Sequence, residues 1–402
     1  MLSVHSCPLG RLGGKNTGGM SVYIRELARE LGKWGHTVDV YTRAHGHEYK
    51  PIVEIGQNVR LIHLKAGKDR EMDKLEIYPH LADFACELEG FCRDNQLQYD
   101  VIHSHYWLSG LVGKWVQPQW DIPHMVMFHT LGAVKNSIGI GEDEPELRIT
   151  SEREIGAECH RVIAATEKEE EELHQLYRVC RENIRIIPCG VNLELFRPID
   201  REVARRRLGL NGKSIILFVG RVDPLKGIDK LLMGMAYFQQ EQRPGLMVVG
   251  GDECNQAEVK RLKSLSQSLH IEDWVTFLGT VEQEMLPYYY SAADTCVVPS
   301  YYESFGLVAL ESLACGTPVL ATNVGAVESV IRQGENGYMV ADNAPRRLTE
   351  KIAQLLSMAS QRPLSTSFIR ESVVRFGWSN VAEALIEEYR AVIRDYQAGY
   401  AR

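Results

Sequence analysis

Two cationic side chains, Arg221 and Lys226, stand five residues apart in the stretch FVGRVDPLKGIDKLL. Gly220 and Gly227 flank them and allow the backbone to turn sharply. A guanidinium fork and an ammonium point charge at the end of a strand can neutralise a diphosphate without a metal. A pair of solvated surface cations is the alternative interpretation, and this stretch alone leaves both open.

Two carboxylates, Glu303 and Glu311, stand eight residues apart in the mostly apolar stretch YYESFGLVALESLACGTPVLATN. A helix that begins between Ser304 and Gly306 would bring its unpaired amides beside Glu303 and place Glu311 about two turns later. A carboxylate among apolar neighbours needs a hydroxyl or a cation as its partner, because burying it alone is costly. The hydroxyls of a sugar and of a ribose meet that need. A helix cap and an ordinary surface residue are the alternative.

A glycine-rich loop lies between the first predicted strand and a strongly amphipathic helix, and it contains Gly13, Gly14, Gly18 and Gly19. Such a loop lets backbone amides approach an anionic or polar ligand at a helix N-terminus. It lacks both the Gly-x-Gly-x-x-Gly and the Gly-Lys-Ser/Thr patterns, which disfavours a dinucleotide oxidoreductase. A flexible turn without a ligand is the alternative.

Three histidines lie in predicted strands. His103 and His105 in HSHYW have a spacing that metal ligands use, but without a third ligand they are predicted to be structural. His129, on an apolar strand, would ordinarily have a core role, and only its position at the strand end before TLG favours a functional one.

Short β-rich runs alternate with helical patterns along the whole chain, which indicates an α/β fold with parallel sheets covered on both faces. The runs form two series: LSVHS, VDVYT, VRLIHL, VIHSH, HMVMFHT, RVIAAT and IRIIP, and then SIILFVG, LMVVGG, VTFLG, TCVVPS and PVLATN. Two doubly wound domains are therefore predicted. Their expected bounds are residues 1–195 and 196–375, with residues 376–402 as a C-terminal helix that packs back across the joint.

The composition describes a globular chain of 402 residues with 45% hydrophobic and 24% charged residues. A formal net charge of -8 gives no general attraction to nucleic acid. Nine cysteines without a Cys-x-x-Cys pair predict reduced thiols and a cytoplasmic location. A leader and a transmembrane segment are not expected, since no apolar run approaches about 20 residues. Peripheral membrane contact and a homodimer stay open.

Four stretches together resemble the retaining glycosyltransferases of family 4: GRVDPLKG, PSYYESFGLVALESLACGTPVLAT, PCGVNLELF and GGMSVYIRELARELGKWGHTVDVYTR. The resemblance covers nearly the whole chain and implies the GT-B fold, in which two Rossmann-like domains face each other across a cleft. It also implies transfer of a hexose or N-acetylhexosamine from a nucleotide diphosphate sugar, expected to be UDP-linked. The nucleotide sugar is then a co-substrate, and no cofactor or metal is required.

The same resemblance implies roles for single residues on the donor side. Arg221 and Lys226 would hold the diphosphate and stabilise the leaving group. Glu303 would face the donor sugar and Glu311 the ribose, so that neither acts as a nucleophile. With His129 near the reaction centre, the predicted catalytic set is His129, Arg221, Lys226 and Glu303. The predicted donor-binding set adds Gly19, Ser304, Phe305, Gly306, Leu307 and Glu311.

The acceptor side resembles one subgroup of the family through HSHYWLSG, FHTLGAVKNS and EPELRI. These stretches are most similar to the members that use inositol phosphate and next to those that make sucrose phosphate. The residues that hold the acceptor phosphate in the first subgroup match Lys74, Tyr106, Thr130 and Arg148. Ser21 stands near the acceptor ring, where that subgroup has asparagine, and this departure leaves the acceptor's identity open.

Other functions remain possible at this point. Within transfer, the alternatives are glucose transfer to fructose 6-phosphate, as in sucrose-phosphate synthase, and transfer to a lipid or polysaccharide. A nucleotide-sugar epimerase shares the two-domain architecture but needs a different acid-base set and no acceptor. A nucleotide-sugar binding protein would be expected to have lost Lys226 or Glu303, and both are present.

Overall fold

The computed structural model describes residues 1–10, 17–46, 49–210, 212–251, 256–361 and 365–400. Contacts within these residues divide the chain into two compact units. The first contains residues 1–10, 17–188 and 378–400, and the second contains residues 189–377. The divisions therefore follow Pro188 and Gly377, whereas the sequence analysis placed them after residues 195 and 375.

The first unit contains strands and helices in alternation. Its strands are β1 (Val38–Arg43), β2 (Ile52–Gly56), β3 (Val59–Leu64), β4 (Ile102–His105), β5 (His124–Met127), β6 (Arg161–Ala164) and β7 (Ile184–Ile186). Its helices are α1 (Gly19–Lys33), α2 (Lys74–Ile77), α3 (Leu81–Asp94), α4 (Trp107–Trp120), α5 (Gly132–Ile138), α6 (Glu146–Glu158), α7 (Glu167–Tyr177) and α16 (Trp378–Tyr400).

The strands of the first unit pair in the orders β1-β3-β2 and β4-β5-β6-β7. The prediction of a first strand at LSVHS is wrong. Only Leu2 forms bridges, which are parallel and lead to Tyr41 of β1 and to Ser104 of β4, and Leu2 thereby joins the two groups of strands. Strand β2 was missed. It is a mostly exposed edge strand that pairs antiparallel with β3 through a turn in which Asn58 has a φ of 58°. The remaining pairs are parallel, as predicted.

The long helices of this unit bury one apolar stripe each. In α1 the residues Ile24, Leu27 and Leu31 are almost completely buried, at the spacing that one helix face requires. The C-terminal helix α16 packs on α1, where the rings of Tyr23 and Trp378 lie 5.3 Å apart. The helix that closes the chain is thus part of the first unit.

The second unit contains one parallel sheet. Its strands are β8 (Ile215–Val219), β9 (Gly245–Val249), β10 (Val275–Gly279), β11 (Thr295–Val298), β12 (Val319–Thr322) and β13 (Gly337–Val340). Its helices are α8 (Arg201–Arg207), α9 (Ile228–Ala236), α10 (Gln256–Ser268), α11 (Leu286–Ala292), α12 (Leu307–Ala314), α13 (Val327–Val330), α14 (Pro345–Gln361) and α15 (Thr366–Glu371). The short strand β13 was not predicted.

The strand order of this sheet is β10-β9-β8-β11-β12-β13. The chain therefore proceeds in one direction from β8 and in the other from β11, and the switch point lies between these two strands. Ligands of such sheets bind beyond the carboxyl ends of the strands at the switch point. The core beneath it contains Ile216 and Phe218 of β8, Val297 of β11 and Leu320 of β12.

The cysteines within the described residues are all free thiols, as predicted. Within the same residues, every helix is too short or too polar to cross a membrane.

Candidate active site

Tyr106 is the centre of a cluster in the first unit, directly after β4. Its backbone has a φ of 76°, and only 4% of the residue is exposed. The Lys74 Nζ atom lies 5.3 Å from the centroid of the Tyr106 ring, and the Arg148 Cζ atom lies 4.8 Å from it. Two cations from separate segments therefore flank one aromatic ring.

Arg148 connects this cluster to Thr130. Its Nη2 atom donates to the Thr130 carbonyl at 2.7 Å and to Thr130 Oγ1 at 2.9 Å. Its Nε atom donates to Glu152 Oε1 at 2.7 Å, and its Nη1 atom lies 2.9 Å from Glu144 Oε2. Burial alone would lower the pKa of Arg148, but the carboxylates outweigh it and raise that pKa above its ordinary value. The predicted set of Lys74, Tyr106, Thr130 and Arg148 is thus brought together.

Arg148 is held by two carboxylates that the sequence analysis did not single out, Glu152 and Glu144. Glu152 is completely buried and also accepts from the Gly132 amide at 2.9 Å and from Tyr177 Oη at 2.6 Å. Glu144 also pairs with Lys135. Burial would raise the pKa of Glu144, but Arg148 and Lys135 lower it to about 2. The signal for Glu152 was present in ELRITSE, because residues four apart on a helix face each other, whereas Glu144 precedes the helix.

His129 follows β5 and has a left-handed backbone with a φ of 61°. Its Nε2 atom lies 3.0 Å from His105 Nδ1, and the edge of the Tyr23 ring packs against both imidazoles. Burial lowers the pKa of His129 to about 3, so the ring is neutral. His103 hydrogen-bonds Tyr389 Oη at 2.7 Å. Among the described residues, no group of three His, Cys, Asp or Glu side chains could hold a metal ion.

The glycine loop is described only in part. Gly13 and Gly14 lie outside the described residues, whereas Gly18 caps α1 and Gly19 is its first residue. Ser21 is completely buried, and its Oγ atom lies 2.6 Å from Ser6 Oγ. The Ser21 hydroxyl therefore supports the segment after Leu2 instead of facing an open surface.

In the second unit, the loops after β8 and β11 meet at the switch point. Lys226 Nζ donates to Glu303 Oε1 at 2.7 Å, and Ser300 Oγ donates to the same oxygen at 2.8 Å. Both charged side chains are less than one fifth exposed. Gly227 makes this approach possible, since a Cβ atom there would lie 2.1 Å from the Pro299 carbonyl oxygen.

Arg221 follows β8 but lies nearer the solvent, with 45% of its side chain exposed. Its Nη2 atom is 3.8 Å from Asp223 Oδ2, which is too long for a strong ion pair. Asp223 in turn accepts from the Leu225 amide at 2.9 Å. The structure thus places Arg221 in the predicted loop, without a contact to the pair of Lys226 and Glu303.

The loop from Ser304 to Leu307 leads into α12, which begins at Leu307 behind its cap Gly306. The Phe305 carbonyl accepts from the Ala326 amide at 2.8 Å, and Gly325 packs so closely that its Cβ atom would lie 2.6 Å from that oxygen. Gly325 therefore allows the segment after β12 to pack directly against the start of α12.

Glu311 lies inside α12 and is only 8% exposed. Its Oε2 atom accepts from Tyr290 Oη at 2.7 Å. Burial raises the pKa of Glu311 to about 7. Tyr290 is a partner that sequence analysis missed, because α11 is remote from α12 in the sequence.

Two surface cavities lie apart from these residues. One, of about 380 Å³, is lined by residues that include His160 and Asp395. The other, of about 400 Å³, is lined by residues that include Arg201 and Thr366. The predicted site residues line neither cavity. The candidate site is therefore identified by its hydrogen bonds and charges, and not by the size of a cavity.

Comparison with known proteins assigns the family. The family model described as Glycosyltransferase Family 4 matches residues 17–195, and the model described as Glycosyl transferases group 1 matches residues 200–371. A D-inositol 3-phosphate glycosyltransferase from Thermobispora bispora is 40% identical over 96% of this chain and 93% of its own length. This chain is a family 4 glycosyltransferase.

Solved structures agree with this assignment. A sucrose-phosphate synthase from Thermosynechococcus elongatus superposes with a TM-score of 0.89 at 34% identity and covers 98% of each chain. HepE from Anabaena, solved in complex with UDP and glucose, has a TM-score of 0.76 at 18% identity over 94% of this chain and 97% of its own, which shows the fold alone. The glycosyltransferase thus has the GT-B fold with two Rossmann-like domains, and it is a hexosyltransferase.

Proposed function

We propose that this glycosyltransferase transfers a hexose or N-acetylhexosamine, with retention, from a UDP-linked sugar to a phosphorylated polyol such as inositol phosphate. The first domain binds the acceptor and the second binds the nucleotide sugar. Transfer needs neither a metal nor a cofactor. The relative from Thermobispora bispora is named for inositol 3-phosphate, which makes that compound the first acceptor to test.

One observation carries the proposal: Lys74, Tyr106, Thr130 and Arg148 come from four separate segments and converge on one place. Lysine and arginine together are the side chains that bind phosphate. The Tyr106 hydroxyl is buried and has no hydrogen-bond partner among the described residues. Burial raises the pKa of Tyr106, so the hydroxyl stays protonated and can donate to a phosphate oxygen. An unmade hydrogen bond of this kind is costly until a ligand satisfies it.

The donor side supports electrostatic catalysis. Lys226 carries a fixed positive charge at the switch point, where it would stabilise the charge that develops on the departing diphosphate. Arg221, with its exposed guanidinium, would add a second cation. Glu303 is paired with Lys226 and Ser300, and Glu311 with Tyr290. Both acids are therefore set to accept hydroxyl groups, Glu303 from the sugar and Glu311 from the ribose, and neither is a free nucleophile.

The test is a matrix of UDP-, GDP- and ADP-sugars against inositol 1- and 3-phosphate, fructose 6-phosphate and unphosphorylated inositol. Products are identified by mass, because release of nucleoside diphosphate alone does not separate transfer from hydrolysis. Each reaction is run with magnesium and with EDTA. We expect a glycosylated phosphate ester from a UDP-sugar under both conditions. Products from unphosphorylated acceptors only would contradict the proposal.

A second candidate is transfer of glucose to fructose 6-phosphate. Its support is the likeness to the sucrose-phosphate synthase of Thermosynechococcus elongatus, at 34% identity. The fructose 6-phosphate column of the matrix decides between the two, since both acceptors carry the phosphate that the Tyr106 cluster would bind.

A further inference from the structure

His105 and His129 form a direct hydrogen bond between imidazoles. His105 is the last residue of β4, and His129 stands two residues after the end of β5. The distance from His105 Nδ1 to His129 Nε2 is 3.0 Å. A bond between two neutral imidazoles needs one nitrogen that carries a proton and one that does not.

Burial makes both rings neutral. His105 is completely buried, and desolvation lowers its pKa well below 6.5, while the pKa of His129 falls to about 3 for the same reason. The Tyr23 ring makes a T-shaped contact with each imidazole, at centroid distances of 5.7 Å to His105 and 5.1 Å to His129. Each ring therefore has a single N–H group, and the position of one proton determines the position of the other.

The second ring nitrogen of His105, Nε2, indicates which imidazole donates the hydrogen bond. His105 Nε2 is buried and has no hydrogen-bond partner among the residues that the structure describes. A buried N–H group without an acceptor is rarer in proteins than an acceptor without a donor. The His105 proton is therefore on Nδ1, which donates to His129 Nε2. His129 must then carry its own proton on Nδ1.

We propose that His105 is a positioning residue that fixes His129 in the Nδ1–H tautomer, so that His129 donates this hydrogen to an oxygen of the transferred sugar. The sugar contact rests on the proposed function and on the role that the family resemblance implies for His129, whereas the tautomer does not. His129 is only partly buried, and Nδ1 is the ring nitrogen that remains for a ligand. The bond to His105 also holds the ring above a left-handed backbone, which few residues other than glycine adopt.

The tautomer is measured by ¹⁵N NMR of the full chain labelled in histidine, with the His129 signals assigned through a His129→Ala variant. The wild-type chain should show a protonated Nδ1 and an unprotonated Nε2. His105→Phe removes the donor and should return His129 to the Nε2–H form that free histidine prefers. His105→Asn keeps an amide N–H near the Nδ1 position and should keep the wild-type tautomer.

His124→Phe is the matched control. His124 is also a buried, neutral strand histidine, but its Nε2 atom bonds Ser104 Oγ at 2.8 Å. The His129 signals should not change in this variant. An Nε2–H form of His129 in the wild-type chain, or an unchanged tautomer in His105→Phe, would overturn the proposal.

Kinetics test whether the tautomer is used. We expect kcat of His105→Phe to fall about five- to tenfold, the value of one hydrogen bond, with the acceptor KM unchanged and with recovery in His105→Asn. Equal losses in both His105 variants would indicate a merely structural role and would overturn the proposal. Absence of transfer by the wild-type chain would count against the proposed function alone, because the NMR measurement needs no substrate.

Discussion

The cluster around Tyr106 in the first domain and the pair of Lys226 and Glu303 in the second are built in different ways. The pair comes from two loops that follow adjacent parallel strands, and its charges partly face solvent. The Tyr106 cluster comes from four segments, and its arginine has only 1% of its side chain exposed and is held by two carboxylates. The pair thus depends mainly on the two loops of the sheet, whereas the Tyr106 cluster depends on a buried ionic network.

The largest effect should come from the buried network. Arg148→Ala leaves the buried Glu152 without its counter-ion and Glu144 with Lys135 alone, and loss of one partner from a buried ion pair costs about 3 to 5 kcal/mol. We expect the free energy of unfolding in urea to fall by this amount. A second change, Glu152→Gln, in the same variant should recover part of the loss.

The control for that comparison is Arg153→Ala on the same helix. Arg153 is about half exposed and lies 3.5 Å from Glu146, so its loss should cost less than about 1 kcal/mol. Equal losses from Arg148→Ala and Arg153→Ala would show that the network does not stabilise the first domain.

The next largest effect should appear in kcat. Lys226→Ala removes the positive charge at the switch point, and loss of such a group slows reactions by about 10² to 10³-fold. The stability of this variant should fall less than that of Arg148→Ala, because the Lys226 side chain is 19% exposed and that of Arg148 only 1%. Lys230→Ala, on α9 with its Nζ atom 3.9 Å from Asp229, should retain wild-type kcat. A Lys226→Ala enzyme with wild-type kcat would remove the electrostatic role.

Donor binding should depend on pH through Glu311. The raised pKa of about 7 means that this carboxyl is mostly neutral at pH 6 and mostly ionised at pH 8. Ribose hydroxyls donate to the ionised form, so the donor KM should rise by up to about tenfold for each pH unit below the pKa. Glu311→Gln should abolish that dependence. A donor KM that stays pH-dependent in Glu311→Gln would assign the titration to another group.

Glu311 also affects stability in a defined direction. A carboxyl whose pKa is raised from 4.5 to about 7 by folding binds more protons in the folded state between these values. Its contribution to stability is therefore complete below the unfolded pKa and decreases as the pH rises through that window.

A smaller effect should come from Glu144, whose carboxylate occupies the Arg148 and Lys135 cations that an acceptor phosphate would share. Glu144→Gln removes one negative charge but keeps an acceptor oxygen, so it should lower the acceptor KM about threefold to tenfold, the range of one ordinary hydrogen bond. Glu146→Gln, at an exposed position two residues later at the start of α6, should leave the acceptor KM unchanged. A higher acceptor KM in Glu144→Gln would mean that Glu144 orients Arg148 for the phosphate.

The features that could be predicted from the sequence are those encoded in contiguous stretches of residues. The two parallel series and the loop that carries Lys226 are local strand-loop-helix signals, and the structure contains them. Strand β2 was missed because its residues are mostly exposed and its pairing depends on a turn at Asn58. The LSVHS segment has the composition of a strand, but only Leu2 forms β-bridges, one to Tyr41 of β1 and one to Ser104 of β4.

The support of the site was harder to predict, for a physical reason. Glu152 and Tyr177 meet across 25 positions of sequence, and Tyr290 meets Glu311 across 21. Tertiary packing creates such pairs, and no periodicity marks them. The bond between His105 and His129 is of the same kind: the sequence analysis considered His105 with His103 and His129 by itself, and only the folded chain brings His105 and His129 to 3.0 Å.

The most direct test of the Tyr106 cluster as a phosphate site is the Lys74→Ala variant, measured for the KM of the phosphorylated acceptor and for the KM of the nucleotide sugar. Loss of one charged hydrogen bond should raise the acceptor KM about tenfold to a hundredfold and leave the donor KM at the wild-type value. Equal changes in both constants, or no change in the acceptor KM, would contradict the account.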